Sequence, residues 1–145
     1  MIALIQRVSS ASVSVAGTLV GRIERGLLAY VAVRPDDGPA NVERLLERVL
    51  GYRVFDDEAG RMNLSLREVG GGLLLVSQFT LAANTDKGMR AGFSTAAPPE
   101  RAGELFAALV TTARAVHQPV ATGRFGSTMR VESVNEGPVT FWLEG

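Results

Sequence analysis

The first part of the chain alternates apolar residues with small or polar ones, which is the period of a half-buried strand. Residues 2–4 begin this alternation and residues 13–15 continue it. A turn at Ala16-Gly17 leads into the apolar positions of 19–23, so the pattern predicts a β-hairpin. The next run, 27–33, is continuously apolar, which is typical of a strand buried on both faces.

Two later segments repeat their apolar residues at helical spacing. The first follows residues 36–39 (DDGP), which supply candidate N-caps and a proline suited to the first turn, and this helix is predicted to end near Gly51. The second opens at residues 98–100 (PPE). Its predicted buried stripe consists of Ala102, Leu105, Phe106, Leu109, Val110 and Ala113.

The remaining apolar stretches predict strands. A short one is expected at 53–55, a buried one at 73–79 after a triple-glycine turn, and two more at 129–134 and 139–143. Residues 82–98 are predicted to form a long polar loop, and loops of such length are often functional. The pattern therefore predicts a mixed β-sheet with two main helices, in the α/β or α+β class.

The amino-acid composition excludes several kinds of functional site. The chain of 145 residues fits a single domain, 1–145, and its 15 basic and 15 acidic residues give no general attraction to nucleic acid or membranes. It has no cysteine and one histidine, His117, which excludes disulfides, thiol nucleophiles and multi-histidine metal sites. The N-terminus lacks a signal-peptide pattern, and no apolar run approaches the roughly 20 residues of a membrane span. We therefore expect a cytoplasmic protein that uses no metal or cofactor.

Four motifs could suggest a catalytic or ligand-binding role, but the sequence around each of them does not favour that role. A Ser-His-Asp triad would need His117 beside a serine, and this histidine lies beyond the second predicted helix. The glycines at 70–72 precede a strand, whereas phosphate-binding loops open onto a helix N-terminus. The acidic run at 56–58 is typical of a solvated turn, and the segment TGRFG at 122–126 lacks diagnostic spacing.

Two segments that interrupt apolar stretches are stronger candidates. The tetrapeptide SQFT, residues 77–80, ends a predicted buried strand, where polar groups must find partners or solvent. Its side chains either end the strand in water or line a site beside the long loop, because ligands gather at strand ends. The second interruption is Gly137-Pro138 before the last predicted strand, which by itself indicates a turn.

Five segments together resemble the D-aminoacyl-tRNA deacylases. They are MIALIQRVSSASVSV at the start, GRMNLSL at 60–66, LLLVSQFTL at 73–81, TGRF at 122–125 and NEGPVTFWLE at 135–144. SQFT and GPVT are the most specific pieces, and the resemblance covers essentially the whole chain. It implies that family's α/β fold with barrel-like layers. It also implies hydrolysis of the ester of D-aminoacyl-tRNA, and of glycyl-tRNA mischarged on tRNA(Ala), to free amino acid and tRNA.

The resemblance further implies how the substrate is selected. In the family, a cis Gly-Pro bond enters the active site of the partner subunit of a homodimer, which assigns that role to Gly137-Pro138, anchored by Val139 and Thr140. The backbone carbonyls of this turn would collide with an L side chain and spare a D side chain, so L-aminoacyl groups are rejected sterically. Arg7 resembles a family arginine that holds the turn through hydrogen bonds to carbonyls.

Ser77, Gln78, Phe79 and Thr80 resemble the family residues that surround the terminal adenosine and the ester. The Thr80 hydroxyl acts either as a nucleophile or as a positioning group, and positioning is preferred because no histidine is available as its base. Backbone N–H groups near Phe79 and Thr80 would stabilise the oxyanion. The 2′-hydroxyl of the RNA itself would assist the attacking water.

The chain departs from the family pattern in one loop. The family often has Lys-Gly-x-Arg-Pro-Ser-Phe, whereas this chain has Ala91 and Gly92 in place of the proline and serine, which predicts a more flexible loop. Glu136 stands where aspartate is common. Three other functions stay open: a relative with a trans Gly-Pro bond that clears a small misattached L-amino acid, a non-catalytic RNA-binding module, and a purely structural dimer.

Overall fold

The computed structural model describes all residues, Met1–Gly145. Its strands are β1 (Ile2–Val15), β2 (Thr18–Ile23), β3 (Gly26–Ala32), β4 (Arg53–Asp56), β5 (Met62–Ser65), β6 (Gly72–Ser77), β7 (Val120–Thr122) and β8 (Arg130–Glu144). Its helices are α1 (Pro39–Gly51), α2 (Leu66–Val69) and α3 (Pro99–Val116), together with a 3-10 helix at Phe79–Ala82.

The long strand β1 organises the sheet because it pairs along both of its edges. Along one edge it runs antiparallel to β3 with its first half and to β2 with its second half. Along the other edge it runs antiparallel to β8, while β6 and β7 continue the sheet beyond β3 in parallel pairing. Strand β2 also approaches β7, since a Cβ on Gly21 would lie 2.7 Å from the carbonyl oxygen of Thr122. The sheet is therefore nearly closed, and the expected α/β fold with barrel-like layers is confirmed.

The two predicted apolar stripes of α1 and α3 face the sheet. Their buried residues join side chains of β1, β3 and β6 in one core of 26 residues. A second cluster of 7 buried residues lies on the opposite face of the same strands, because successive residues of a strand point to opposite sides. Burial on both faces explains why β3 and β6 are apolar at nearly every position.

The structure corrects several predicted boundaries. The strands expected at 129–134 and 139–143 form the single strand β8, because its pairing with β1 continues on both sides of Gly137-Pro138. The strand expected at 73–79 ends at Ser77, where the chain turns into the 3-10 helix. The two main helices are confirmed, but the short elements β5, α2 and β7 were missed. Each has only three or four residues, too few to show a period.

Helix α1 begins at Pro39 as predicted, but neither aspartate before it is the N-cap. Gly38 occupies that position. Asp37 is instead buried, and its Oδ1 accepts a hydrogen bond from the Met1 amino group at 2.6 Å. The same amino group donates to the carbonyl oxygen of Gly145 at 2.9 Å, so the first and last residues meet beside α1. None of the helices has the length and apolar character needed to cross a membrane.

Candidate active site

The Gly-Pro loop, residues 136–139, bulges out of β8. The register between β8 and β1 shifts here, so that these four residues stand opposite Arg7 alone. At the base of the loop, the Oδ1 of Asn135 accepts a hydrogen bond from the backbone N–H of Val139 at 2.9 Å. The Gly137-Pro138 peptide bond inside the loop is cis.

Arg7 holds the Gly-Pro loop from the neighbouring strand. Its Nε donates to the carbonyl oxygen of Glu136 at 2.9 Å, and its Nη1 donates to the carbonyl oxygen of Val54 at 2.8 Å. The Oδ1 of Asp56 lies 3.5 Å from the same Nη1. Because only 14% of the Arg7 side chain is exposed, the guanidinium links the loop, β1 and β4 from a largely buried position.

The residues after the proline attach the loop to the body of the protein. Val139 is buried in the core beneath α1 and α3. The hydroxyl oxygen of Thr140 accepts hydrogen bonds from Nε2 of Gln6 at 3.2 Å and from Nδ2 of Asn135 at 3.1 Å. Packing and hydrogen bonds therefore fix the C-terminal side of the loop, as Arg7 fixes its N-terminal side.

Gly137 is required at its position by both conformation and space. Its φ of 138° lies in a region that residues with a side chain rarely adopt. A Cβ there would lie 2.7 Å from Cγ2 of Val139 and 3.1 Å from Nη2 of Arg7. A side chain at this position would thus displace the arginine that supports the loop.

The SQFT segment spans the end of β6 and the start of the 3-10 helix. Ser77 pairs with Val31 of β3, and the backbone N–H of Gln78 donates to the carbonyl oxygen of Val31 at 2.7 Å. Phe79 and Thr80 are the first two residues of the 3-10 helix, so no carbonyl of that helix can accept from their backbone N–H groups.

The side chains of SQFT lie at the surface and are partly ordered by one another. Phe79 is 57% exposed, and its ring packs against Phe93 of the long loop with centroids 5.1 Å apart. The Nε2 of Gln78 donates to the hydroxyl oxygen of Thr80. This bond leaves the hydroxyl hydrogen of Thr80 available for another acceptor, because a hydroxyl both accepts and donates.

No histidine supports Thr80 as a nucleophile. The Nε2 of His117 hydrogen-bonds with the carbonyl oxygen of Gly71 at 2.8 Å. Gly71 precedes β6, and Ser77 ends it, so the imidazole is about six strand residues, roughly 20 Å, away from SQFT. The only histidine of the chain therefore lies too far from Thr80 to serve as its base.

A cleft of about 560 Å³ adjoins the 3-10 helix, and Arg34 and Trp142 form part of its wall. Arg34 binds both carboxylate oxygens of Glu144, at 3.0 and 2.9 Å, and Nε1 of Trp142 donates to the same carboxylate at 3.0 Å. The hydrogen bond from Arg34, followed by that from Trp142, lowers the pKa of Glu144 from 4.5 to about 2. This carboxylate therefore stays ionised and engaged, which makes it unsuited to serve as a general base.

SQFT and the Gly-Pro loop do not meet within one chain. Ser77 lies across β3 and β1 from Leu143, and Thr140 lies three residues further along β8. Three strand spacings and three residues correspond to about 14 Å across the sheet and about 10 Å along it. The sequence candidates thus form two separate sites on the surface of one subunit.

The motifs set aside at the sequence level have structural roles. The turn after β4 is closed by Asp57, whose Oδ1 accepts hydrogen bonds from the backbone N–H groups of Ala59 and Arg61. Thr122 ends β7, and the ring of Phe125 packs against α3. No group of three or more histidine, aspartate or glutamate side chains could hold a metal ion.

Sequence reasoning missed the residues that support the Gly-Pro loop. These residues are Gln6, Val54 and Asn135. Their contacts depend on strand register or on a backbone carbonyl, and neither can be recognised from the type of residue. Only the role of Asn135 could have been suspected from the sequence, because the side chain of an asparagine near a turn commonly forms a hydrogen bond with nearby backbone.

The sequence and the fold of this chain are similar to those of known proteins. The family model for D-Tyr-tRNA(Tyr) deacylase matches residues 4–144. The D-aminoacyl-tRNA deacylase of Alkalilimnicola ehrlichii is 61% identical over 99% of this chain and 96% of its own. The D-aminoacyl-tRNA deacylase of Thioalkalivibrio sulfidiphilus is 62% identical over 99% of this chain and 97% of its own. A solved structure described as c-Myc DNA unwinding element binding protein matches with a TM-score of 0.95 and 34% identity, covering 100% of this chain and 99% of that one.

The family model and these relatives show that the chain, whose nearly closed α/β sheet presents SQFT and a Gly-Pro loop, is a deacylase, an ester hydrolase. The chain belongs to the D-Tyr-tRNA(Tyr) deacylase family. The resemblance noted in its five sequence segments is therefore confirmed.

Proposed function

We propose that this protein removes D-amino acids from tRNA, and glycine from mischarged tRNA(Ala), at a site that two subunits build together. The observation that carries the proposal is the separation, within one chain, of SQFT from the Gly-Pro loop. Each segment is held by specific hydrogen bonds at the surface, yet neither contacts the other. A homodimer in which the loop of one subunit enters beside SQFT of its partner would complete the site.

The proposed chemistry is hydrolysis of the ester that joins the amino acid to the terminal ribose. Water attacks the carbonyl carbon, and the tetrahedral oxyanion is stabilised by the backbone N–H groups of Phe79 and Thr80. The bond from the carbonyl carbon to the ribose oxygen then breaks. The RNA 2′-hydroxyl relays the proton from the water to that oxygen, because the site offers no histidine base.

SQFT has the positioning role in this proposal. The hydroxyl of Thr80, which accepts a bond from Gln78, donates its hydrogen to the substrate rather than attacking it. Phe79 offers an exposed ring on which the terminal adenine can stack, and Ser77 lines the end of the strand.

The Gly-Pro loop has the selecting role. Its backbone would approach the α-carbon of the bound aminoacyl group where an L side chain would project, whereas hydrogen is all that glycine or a D-residue places there. The loop is held by its contacts with Arg7, Val139 and Thr140, so it would not move aside for an L-aminoacyl group. Rejection by an unyielding backbone explains how glycine and D-amino acids could share one pocket.

Subunit complementation tests the composite site. One subunit carries Gly137→Ala, which damages the loop, and the other carries Thr80→Val, which damages SQFT. A heterodimer purified through two different tags would hold one intact site and one doubly damaged site. We expect it to recover about half of the wild-type rate on D-tyrosyl-tRNA, whereas each variant homodimer is nearly inactive.

A heterodimer as inactive as its parents would overturn the shared site, because it would place both segments of each site in the same chain. The same wild-type preparation would be given glycyl-tRNA(Ala) and L-alanyl-tRNA(Ala). Loss of glycine alone supports the proposed selectivity, while loss of L-alanine would favour an enzyme for small L-amino acids. These reactions belong to translation quality control, and we propose the cytoplasm as their location.

A further inference from the structure

A groove beside the C-terminal end of α1 concentrates arginine side chains. It has a volume of about 450 Å³, and its lining consists of Arg44, Glu47, Arg48, Gly51, Tyr52 and Arg67. Three guanidinium groups therefore face a single carboxylate, although the whole chain has zero net charge. We call this feature the arginine groove.

Two of these arginines have no partner of their own. Arg44 and Arg67 are exposed and form neither an ion pair nor a side-chain hydrogen bond. Five other arginines each lie within 4.0 Å of a carboxylate; they are Arg7, Arg22, Arg34, Arg61 and Arg101. Further arginines such as Arg114 and Arg130 also have no partner, so the property that matters here is that Arg44 and Arg67 line one groove together. Unpaired guanidinium groups that share a groove suit phosphate, whose oxygens they can bind in a bidentate manner.

The third arginine is fixed in place. The Nη1 of Arg48 donates to the carbonyl oxygen of Glu144 at 2.7 Å, and its guanidinium lies 5.9 Å from the ring centroid of Tyr52. Two contacts therefore hold Arg48, while Arg44 and Arg67 line the same groove without a partner.

The arginine groove lies next to the Gly-Pro loop. The ring of Tyr52 packs against Phe141 with centroids 5.4 Å apart, and Phe141 follows the threonine that fixes the loop. Two residues after Tyr52, the carbonyl oxygen of Val54 accepts the hydrogen bond from Arg7. Nucleic acid whose end lies at the Gly-Pro loop would therefore pass close to the groove.

We infer that the arginine groove binds backbone phosphates of the acceptor arm of tRNA. This inference rests on the proposed function, and it names the surface that holds the RNA while the Gly-Pro loop contacts the aminoacyl group. Binding through phosphates releases condensed counterions, so the contribution of the groove weakens as salt concentration rises. It provides affinity without reading the sequence of the tRNA.

The test compares two double variants that remove the same charge. Arg44→Ala/Arg67→Ala empties the groove, and Arg22→Ala/Arg130→Ala changes two exposed arginines on β2 and β8 far from it. Arg130 pairs with Ser14 and Phe141 with Ile5, so nine residues of β1, about 30 Å, separate the control from the groove. We would measure kcat and KM on D-tyrosyl-tRNA and on 2′(3′)-O-D-tyrosyl-adenosine, which has no acceptor arm.

For the groove variant we expect KM for D-tyrosyl-tRNA to rise about tenfold, with kcat unchanged. The slope of log(kcat/KM) against log salt concentration should become shallower by about 2, one for each lost phosphate contact. The rate on D-tyrosyl-adenosine should not change, and the control variant should behave as wild type on both substrates.

Three results would overturn the inference. The first is an unchanged KM for tRNA, and the second is an equal loss on D-tyrosyl-adenosine, which would place the groove in the chemistry. The third is a change of mass by light scattering in the groove variant, which would make the groove a contact between subunits. If wild-type protein cleaved neither substrate, the proposed function would fail separately. Filter binding of uncharged tRNA to the two variants would still decide the role of the groove.

Discussion

At the scale of single residues, Gly137 has the most demanding position in the candidate site. Replacing it by alanine would force a Cβ to within 2.7 Å of Val139 and 3.1 Å of Arg7. We expect the variant to remain folded but to lose about 100-fold in kcat/KM on D-tyrosyl-tRNA, because the loop would be displaced from its working position. Activity would be followed by loss of the aminoacyl ester, and folding by circular dichroism.

Gly38→Ala is the matched control for this substitution. A Cβ on Gly38 meets no atom within 4 Å, and the residue lies at the start of α1. It should cost at most about 1 kcal/mol of stability through the changed N-cap and leave activity as in wild type. Wild-type activity in Gly137→Ala would show that the loop does not take part in the reaction.

Glu144 makes a pH-dependent contribution to the free energy of unfolding, and this contribution can be measured separately. Its pKa is lowered to about 2 by hydrogen bonds from Arg34 and Trp142, so the ionised carboxylate stabilises the folded state. This contribution is complete above the unfolded pKa of about 4.5 and is lost as pH falls from there through about 2. Wild-type protein should therefore exceed Glu144→Gln in free energy of unfolding at pH 7, by an amount that shrinks across this window.

Urea unfolding of both proteins at a series of pH values measures this difference directly. Other carboxylates titrate in both proteins, so their effect cancels in the comparison. A stability difference that stays constant between pH 5 and pH 2 would contradict the assigned pKa.

Only some of the site residues could be predicted at this scale. The resemblance pointed to Arg7, SQFT and the Gly-Pro segment because their residue types recur in the family. Asn135 and Gln6 were not predicted, because their roles depend on which residues face each other across β1 and β8. Residue type alone carries no information about such register.

At the scale of elements, the close approach of β3 to β6 depends on glycine at their first paired position. Gly26 stands opposite Gly72, and a Cβ on Gly26 would lie 1.9 Å from the Gly72 carbonyl oxygen. Backbone atoms cannot move aside as a flexible side chain would. We expect Gly26→Ala to destabilise the protein by at least about 3 kcal/mol in chemical denaturation.

Gly51→Ala provides the comparison for stability. It adds the same methyl group at the end of α1, where no atom lies within 4 Å. It should be neutral or slightly stabilising, since alanine favours helix more than glycine does. Equal stability of the two variants would mean that β3 and β6 can separate without cost.

Elements were predictable where a period extends over several turns or strand residues. The apolar stripes of α1 and α3 and the doubly buried strands β3 and β6 could be inferred from pattern alone. The pattern did not show that β8 is one continuous strand, because Gly137-Pro138 interrupts the alternation of apolar and polar residues. Beyond the loop, however, the chain resumes its pairing with β1. Proline ordinarily ends a strand, and here a four-residue bulge accommodates it.

At the scale of the whole molecule, β1 connects the two parts of the proposed site. It carries Arg7 beneath the Gly-Pro loop, and its first residues pair with β3, which leads through β6 to SQFT. The buried contact of the Met1 amino group with Asp37 and Gly145 ties the beginning of β1 to the end of β8. The fold thus fixes the two proposed halves of the site at a constant distance from each other.

That fixed distance is the property that sequence reasoning could not supply. The order of SQFT and GPVT along the chain is compatible with one pocket or with two surfaces. The strand order separates them within one chain, so the proposed combined site, which the family resemblance implied, would need a second subunit. The arginine groove could not be predicted either, because its residues come from two separate helices, α1 with its C-cap Tyr52 and α2, and because the chain as a whole is neutral.

The most direct test of the account is a time course of ester loss from D-tyrosyl-tRNA and L-tyrosyl-tRNA with the wild-type protein. We predict rapid loss of the D form, while the L form decays only at the rate seen without protein. Equal loss of both forms would contradict selection by the Gly-Pro loop. Loss of neither would contradict deacylation of tyrosyl-tRNA itself.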